Sequence, residues 1–510
     1  MFQRILKRTA HFGLGRDRQW KEEPVEAFAD RWRSFDRHPW KHPWLTRSNL
    51  QSMREFSRII RAKAAEAAGR AGERKLSIGF VGNTANNLYM RAVPLRRRGL
   101  DIEVVLHPAD LYVMSNPAWE EYDGELRESP ADIRELCRHG VPLPEVDSIW
   151  RGEIPGRTPS YDEVARFMTR DEYVLFGIYG CYFETFERLS AKDVLLTAQS
   201  AYLAMLSRRP YLATQIGGDI WYDCSRDDVH GYIQRCAFHA ANAFLVTNPW
   251  SYAHARRYHM SHFINLPLMM DQTVYTPGRS EFREAWREQA GGDFFVLHTA
   301  RLDDIYKGSM IGLRGFMEFA RQHPGARLVV LGWGVDKDKH LAELKKMGIG
   351  DRLLLLPLAG KRRLIRYLQA ADCLIDQFIL GYYGATGLEA MACGLPVIMR
   401  LEHEQYDAMC ETGAPPVLNA ATSDAVTRHL LDLSAHPEHR QVLANAHRAW
   451  FEANHGDERW ATEYKNLLTA TAAGYRFDFS ESPLRRPLSS AERQYHAEQL
   501  ASAPAFPNYR

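Results

Sequence analysis

A glycine-punctuated loop followed by one carboxylate is the part of this sequence whose residue types best suit ligand chemistry. Gly381, Gly384 and Gly387 precede Glu389. Glycines let the backbone come close to a ligand, and the first N–H groups of a following helix favour an anion such as phosphate. A carboxylate in the first turn of that helix is stable there and can accept hydrogen bonds from two hydroxyls, as a ribose requires. The loop therefore predicts a site for a phosphate beside a ribose.

The segments around this loop must position it. An apolar strand at 373–378, a loop at 380–387, a helix at 388–393 and a strand at 396–399 predict half of a parallel α/β unit. In such a unit the loop lies outside the carboxyl end of a strand, where ligands bind. The simpler alternative is that Glu389 caps a helix and the glycines only turn the chain.

The stretch GLEAMACGLPVI at 387–398 resembles the nucleotide-sugar motif of GT-B glycosyltransferases, above all glycosyltransferase family 4. That resemblance implies a retaining, nucleotide-sugar-dependent enzyme. The family carries two glutamates eight positions apart, of which the first contacts the donor sugar and the second the ribose. Glu389 matches the second, whereas Gly381 stands in place of the first. The resemblance extends over about residues 76–470 and is strongest at 294–400.

Two cations upstream match the same family. Arg301 and Lys307, followed by Gly308, lie where a strand turns into a helix. The resemblance implies that they hold the donor diphosphate, and two fixed cations can stabilise a leaving diphosphate without a metal. In isolation, both would equally fit an ordinary protein surface. The resemblance also places the base against the backbone of a loop at 358–360. The predicted donor-site residues are Arg301 and Lys307 as catalytic residues, with Gly332, Leu358, Gly384, Ala385, Thr386, Gly387 and Glu389 as binding residues.

Polar loops in the first half of the chain are candidates for the acceptor side. The loop GNTANN at 82–87 follows a predicted strand, but its single glycine, Gly82, does not make a dinucleotide fingerprint. Its asparagines, Asn83, Asn86 and Asn87, offer donors and acceptors suited to sugar hydroxyls, although asparagines also form turns.

A second candidate on the acceptor side is the turn Gly217, Gly218 and Asp219, which resembles a family 4 turn, with Gln215 and Ile216 where a histidine is common. Asp219 can contact an acceptor hydroxyl or cap the next helix.

Composition limits the class of protein. The chain has 510 residues, of which 45% are hydrophobic, enough for two large domains. Its seven cysteines are scattered without a CxxC pair, which favours a reducing compartment over disulfides or a zinc site. No apolar run approaches the roughly 18 to 20 residues of a membrane span. We therefore expect a cytoplasmic protein, with no nucleic-acid partner. The resemblance to GT-B glycosyltransferases implies that it needs neither cofactor nor metal.

The first 74 residues differ in charge from the rest. They contain 17 Lys or Arg and 9 Asp or Glu, a net charge of +8, while the remainder carries −6. They also contain Trp20, Trp32, Trp40 and Trp44, and residues 49–68 show helical apolar spacing. The extension is either a basic amphipathic contact with the inner face of the cytoplasmic membrane or a helix packed on the domain.

Alternating strands and helices predict an α/β fold with doubly wound parallel sheets. The resemblance implies the GT-B arrangement, in which two such Rossmann-like domains face a cleft. The predicted divisions are a basic extension at 1–74, an acceptor domain with a helical insertion at 75–272, a donor domain at 273–455, and a crossover helix and tail at 456–510. The insertion, at about 108–192, has no assigned chemistry.

The predicted activity is transfer of a sugar from a UDP- or GDP-sugar to a hydroxyl of a glycan or lipid-linked acceptor, in bacterial cell-surface glycan synthesis. Two alternatives stay open. One is a nucleotide-sugar epimerase with His107 and Asp219 as acid and base, and the other is a catalytically silent GT-B scaffold.

Overall fold

The structure is a computed structural model that describes residues 41–108, 113–126, 149–226 and 228–502. Trp20, Trp32 and Trp40 of the basic extension lie outside these residues. Within them, two parallel sheets form two Rossmann-like domains, and a separate two-stranded ladder links the domains.

The first sheet has the strand order β4-β2-β1-β5-β6-β7-β8, and every neighbouring pair is parallel. Its inner strands are mostly apolar because helices cover both faces, as is usual for parallel sheets. The strands are β1 (Ser77–Val81), β2 (Asp101–Leu106), β4 (Ile149–Arg151), β5 (Val194–Ala198), β6 (Tyr211–Thr214), β7 (Ala243–Val246) and β8 (Phe263–Asn265). A short strand, β3 (Glu125–Leu126), belongs to neither large sheet.

The second sheet has the order β11-β10-β9-β13-β14-β15 and is also parallel. It is formed by β9 (Phe294–His298), β10 (Ala326–Leu331), β11 (Leu353–Leu356), β13 (Cys373–Ile375), β14 (Val397–Met399) and β15 (Leu418–Asn419). The strand β12 (Leu358–Ala359) pairs with β3 of the first domain in an antiparallel ladder. The predicted doubly wound α/β architecture is confirmed.

The α-helices connect these strands and pack on both sheets. In the first half they are α1 (Arg47–Ala71), α2 (Asn87–Arg97), α3 (Pro117–Glu121), α4 (Tyr161–Val164), α5 (Arg170–Phe176), α6 (Phe183–Ser190), α7 (Ala201–Leu206), α8 (Gly218–Trp221), α9 (Val229–Ala240) and α10 (Trp250–Arg257). In the second half they are α11 (Phe282–Ala290), α12 (Ser309–Gln322), α13 (Lys337–Lys346), α14 (Lys361–Ala370), α15 (Ala385–Ala392), α16 (His403–Met409), α17 (Ser423–Ala435), α18 (Pro437–His455), α19 (Asp457–Ala472) and α20 (Ser490–Ser502).

The described part of the basic extension is a packed helix. In α1, apolar residues at helical spacing are buried, among them Leu50, Met53 and Ile60, and the helix contacts α19, α16 and β8. Arg58 and Arg61 both pair with Glu411 of the second domain. Thus α1 lies across both domains, and these two basic side chains are engaged within the protein.

The stretch at 108–192 contributes more than the insertion that the sequence suggested. Its strand β4 adds an edge to the first sheet, and its segment 117–126 reaches the second domain through β3. Because β3 has only two residues and its partner β12 lies more than 200 positions away, no local periodicity could indicate this contact.

Helix α19 returns to the first domain, where it packs on α1, β5 and α2. Among the described residues, no helix combines the length and apolar character that a membrane span requires.

Candidate active site

Arg301 lies in the loop between β9 and α12, at the carboxyl edge of the second sheet. Its Nε donates to Asp303 Oδ2 at 2.9 Å, and its guanidinium carbon lies 5.2 Å from the centre of the Tyr306 ring. The side chain is still 42% exposed. Asp303 and Tyr306 therefore orient a guanidinium that faces solvent at the sheet edge, which suits it to hold an anion.

Lys307 lies in the same loop as Arg301 and reaches the glycine loop. Its Nζ donates to Gln377 Oε1 at 2.8 Å and would be 4.0 Å from a Cβ built on Gly384. Gly384 directly precedes helix α15, so the ammonium lies next to the N-terminal N–H groups of that helix, at Ala385, Thr386 and Gly387. Burial lowers the pKa of Lys307, and the neighbouring Asp376 carboxylate opposes this shift. A phosphate here would meet a cation and a helix N-terminus together.

Asp376 is a buried carboxyl group that sequence reasoning missed. Both of its oxygens are buried without a hydrogen-bond partner among the described residues. A Cβ built on Gly387 would lie 3.6 Å from its Oδ2. Burial raises the pKa of Asp376, while Lys307 opposes the shift. An aspartate directly after the apolar strand Cys373–Ile375 was the available signal.

Glu389 is fully buried in α15 and pairs with Lys361 at the start of α14. Its Oε1 accepts from Lys361 Nζ, and its Oε2 has no partner among the described residues. Burial disfavours the charge on Lys361, but Glu389 and then Glu120 outweigh it and raise the pKa of this lysine. The predicted ribose contact would use this buried Oε2, and it stays a prediction. Glu389 lies beyond the first turn of α15, where the sequence placed it, and its partner Lys361 was not predicted.

Glu120 brings a second carboxyl group to this position from the first domain. Its Oε2 accepts from Tyr275 Oη at 3.0 Å, and its Oε1 is buried without a partner among the described residues. Burial raises the pKa of Glu120 to about 7, with Lys361 opposing the shift and Glu389 adding to it. Two carboxyl groups from different domains thus share one ammonium.

The loop predicted to bind the base is covered by the first domain. Leu358 pairs with Leu126 across the β3–β12 ladder. Trp119 Nε1 donates to Ala359 O at 2.9 Å, and Gly360 N donates to Gly124 O at 2.9 Å.

Gly332, at the end of β10, directs its N–H to Leu356 O at 2.8 Å. Gly332 therefore lies at the end of a strand, next to the loop at 358–360 that the first domain covers.

The asparagines of the first loop are used to build the loop itself. Asn83 and Asn86 are buried and donate to the backbone oxygens of Ser115 and Asn116, respectively, each at 2.9 Å. Asn87 Nδ2 donates to Thr84 O at 3.1 Å. Gly82 has a φ of +78°, and a Cβ there would lie 2.4 Å from Ala198 O, so only glycine fits. Asn83 and Asn86 thus join this loop to residues 115 and 116, and Asn87 bonds within the turn.

Asp219 is fully buried, and its oxygens accept backbone N–H groups from Ile216, Gly217 and Ile220. Burial raises the pKa of Asp219 to about 6, and these N–H groups oppose the shift. Asp219 lies within the first turn of α8, whose N-cap is Gly217, so its carboxylate holds the turn that precedes the helix. Gly218, by contrast, borders open space, because a Cβ built there would have no heavy atom within 4 Å.

Beside this turn, aromatic rings link the two domains. Trp221 and Tyr306 have ring centres 6.1 Å apart, and those of Trp250 and Tyr382 are 5.4 Å apart. The turn of the first domain thus faces the loop of Arg301 across the cleft.

His107, the other candidate for acid–base chemistry, lies 2.8 Å from Tyr202 Oη through its Nε2. Burial lowers its pKa to about 3, so the ring is neutral at pH 7.

One group of side chains in the described ranges has the spacing of metal ligands: Asp304, Asp336 and His340. Asp304 Oδ2 also lies 2.9 Å from Lys339 Nζ and 3.0 Å from His340 Nε2. The Lys339 ammonium already balances the charge of the Asp304 carboxylate. We therefore interpret these three side chains as a structural cluster.

Sequence comparison finds similarity in the second domain. Residues 281–450 match the family model for glycosyl transferases group 1. The chain is 25% identical to a D-inositol 3-phosphate glycosyltransferase of Segniliparus rotundus over 40% of its own length and 39% of that protein. It is 29% identical to an alpha-monoglucosyldiacylglycerol synthase of Acholeplasma laidlawii over 31% of its length and 40% of that protein. The chain thus matches about two fifths of each of these curated relatives.

Structural comparison extends over both domains. Anabaena Alr3699/HepE in complex with UDP and glucose superposes with a TM-score of 0.55 at 13% identity, covering 77% of this chain and 99% of the other. Sucrose-phosphate synthase from Thermosynechococcus elongatus gives a TM-score of 0.52 at 16% identity, covering 78% and 99%. The two-domain architecture is the GT-B fold.

Proposed function

We propose that this protein is a glycosyltransferase that moves a sugar from a nucleotide-sugar donor to an acceptor hydroxyl. The observation that carries the proposal is the convergence of Arg301, Lys307 and the N-terminus of α15 at one sheet edge, within the matched residues 281–450. The named activities of the sequence relatives support it, and the UDP in a structural neighbour supports a nucleotide donor.

In the proposed reaction the donor diphosphate lies between Lys307 and the helix N-terminus, with Arg301 on its exposed side. As the bond from the sugar to the diphosphate breaks, negative charge grows on the leaving oxygen, and these groups stabilise it without reorganisation. Because Lys307 donates to the neutral amide of Gln377, its charge is not neutralised by a direct ion pair there. The acceptor hydroxyl forms the new bond to the sugar carbon and gives up its proton to the departing diphosphate.

The finer parts of the proposal come from the family 4 resemblance. They are retention of configuration, a UDP or GDP donor, and no requirement for a divalent metal. A glycan or lipid-linked acceptor in cell-surface synthesis is proposed on the same ground, and the name of the Acholeplasma relative supports a lipid-linked acceptor. In this proposal Glu389 binds the ribose of the nucleotide, and residues 358–360 bind its base.

Incubation with a panel of UDP- and GDP-sugars tests the activity. The expected result is release of free nucleotide, by transfer or hydrolysis, that depends on the sugar. A changed sugar on an intact nucleotide would instead identify an epimerase, and the absence of both products would identify a silent scaffold. Arg301→Ala, assayed in parallel, should lose nucleotide release.

Membrane contact is a separate proposal for residues 1–74, based on their net charge of +8. Each basic residue near an anionic surface contributes about 1 kcal/mol, which salt weakens. Vesicle flotation of the full chain and of a chain beginning near Lys75, on anionic and neutral lipid at two salt concentrations, tests it. Since α1 packs across both domains, a second truncation that keeps residues 41–74 separates lost docking from lost packing. Equal flotation of all three chains, or flotation that ignores lipid charge, would refute it.

A further inference from the structure

The space beside Gly381 is filled by another carboxylate. A Cβ built on Gly381 would lie 2.3 Å from Glu402 Cγ and 2.9 Å from Glu402 Oε1. The backbone joins the same two residues, because Glu402 N donates to Gly381 O at 2.9 Å. A side chain at 381 and the Glu402 side chain therefore compete for one volume, and in this chain Glu402 occupies it.

Glu402 has the setting of a polar ligand-binding residue. Its side chain is 28% exposed, and its Oε1 accepts from Arg400 Nη2 at 2.9 Å. Arg400 N donates to Gln377 O at 2.8 Å, and Gln377 is the residue that holds Lys307. A carboxylate and a guanidinium thus lie on the same loop framework as the proposed diphosphate site. Neighbouring hydroxyls of a sugar ring can donate to the carboxylate and accept from the guanidinium.

We propose that Glu402 binds the hydroxyls of the donor sugar and so determines sugar specificity. The inference rests on the proposed function. It assigns to the loop after β14 the donor-sugar contact that family 4 members make through a glutamate at the position of Gly381.

A residue exchange tests this inference. Affinities for UDP-glucose and for UDP are measured by calorimetry on wild type, Glu402→Gln, Glu402→Gly and the double variant Gly381→Glu with Glu402→Gly. We expect Glu402→Gln to lower affinity for the sugar nucleotide roughly 10-fold or more, as for lost hydrogen bonds to a charged group, with UDP affinity unchanged. The double variant should recover part of the loss seen in Glu402→Gly. Glu404→Gln, at an exposed position of α16, is the matched control.

The outcomes separate the two proposals. UDP-glucose affinity that is unchanged in Glu402→Gln, or lowered equally with UDP, would overturn the role of Glu402 and leave the proposed function standing. If the wild-type protein binds none of UDP-glucose, UDP, GDP-mannose and GDP, both the role of Glu402 and the proposed function are overturned.

An independent observation concerns residues 117–126, here called the cover segment. It leaves the first domain and lies on the second, where β3 pairs with β12 and Arg362 N donates to Tyr122 O at 3.2 Å. The Lys361 ammonium lies 4.8 Å from the centre of the Trp119 ring. The cover segment therefore encloses both Glu389 and the backbone of residues 358–360.

The buried side of the cover segment and its exposed rim differ in their interactions. Towards the inside, Glu120 Oε1 and Glu389 Oε2 are buried without partners among the described residues, which is costly for carboxylate oxygens. Towards the outside, half-exposed ion pairs join Arg362 to Glu121 and Arg366 to Asp123. Such pairs contribute little to stability. An enclosed site with unsatisfied acceptors and a weak rim is suited to open.

We infer that the cover segment must withdraw before a nucleoside can reach Glu389, so that the enclosed state excludes the nucleotide. A disulfide tests this inference. Leu126 and Leu358 are directly paired in antiparallel strands, where Cα atoms lie about 4.5 to 5.5 Å apart, within reach of a disulfide. We expect oxidised Leu126→Cys/Leu358→Cys to lose UDP binding at least 10-fold and to regain it on reduction.

Trp119→Ala, which removes the indole from Ala359 O, should bind UDP more tightly than wild type. Each single cysteine variant is the control for the disulfide. Unchanged UDP affinity in the oxidised double variant, with the disulfide confirmed by mass spectrometry, would overturn the inference. Absence of UDP and GDP binding in the reduced and wild-type proteins would overturn the proposed function instead.

Discussion

Removal of Glu389 should destabilise the protein as well as weaken the site. The Lys361 side chain is 8% exposed and that of Glu389 is fully buried. In Glu389→Ala the ammonium would remain buried, with only the protonatable Glu120 close by. Breaking a buried pair by removing one partner costs about 3 to 5 kcal/mol. We expect a loss of that order in the free energy of unfolding.

Urea denaturation followed by circular dichroism measures this loss. An exposed pair supplies the matched control, since Glu284 and Arg287 are 65% and 45% exposed. Glu284→Ala should cost less than about 1 kcal/mol. The double variant Lys361→Met/Glu389→Leu, which removes both charges, should recover most of the stability. Equal, small losses in Glu389→Ala and Glu284→Ala would refute the argument that the Lys361–Glu389 pair is a desolvated one.

Three further predictions concern the site. Arg301→Ala and Lys307→Ala should each raise the barrier to nucleotide release by about 2 to 4 kcal/mol, measured as kcat, and near-normal rates in both would end their assignment. A 2′-deoxy donor should bind wild type more weakly than the normal donor, by roughly 1 to 3 kcal/mol, but Lys361→Met/Glu389→Gln about equally; equal discrimination in both proteins would reduce Glu389 to a structural residue. Because the folded pKa of Glu120, about 7, lies above its ordinary value, the stability linked to its protonation is complete at acidic pH and is lost as pH rises through 7. Urea midpoints of wild type should therefore fall relative to Glu120→Gln between about pH 5 and pH 8, and parallel curves would contradict this.

Local patterns predicted much of the fold because its parallel strands are short, apolar and separated by helices. The strands predicted at 373–378 and 396–399 correspond to β13 (Cys373–Ile375) and β14 (Val397–Met399). Strand β8 (Phe263–Asn265) and strand β4 (Ile149–Arg151) were missed, since they are as short as β13 and β14 but have no glycine loop beside them. Long-range pairing explains the other omissions, because β3 and β12 form a ladder only when the two domains meet.

Residues that belong to a recognisable motif could be proposed from the sequence. Residues whose importance comes from their contacts in the folded protein could not. Arg301, Lys307 and Glu389 were predicted from their resemblance to family 4 motifs. Gln377 and Lys361 are ordinary residue types in sequence, and their importance comes from the atoms they contact. The asparagines of the first loop show the reverse, because residue types suited to sugars form the loop instead.

Nucleotide release from a panel of UDP- and GDP-sugars, compared between wild type and Lys307→Ala, tests whether this protein is a glycosyltransferase that uses Lys307. We expect wild type to release nucleotide from at least one donor and Lys307→Ala to do so at least roughly 30-fold more slowly, since it lacks one contact to the leaving diphosphate. Release at equal rates by both proteins, or no release and no binding of any donor by wild type, would contradict it.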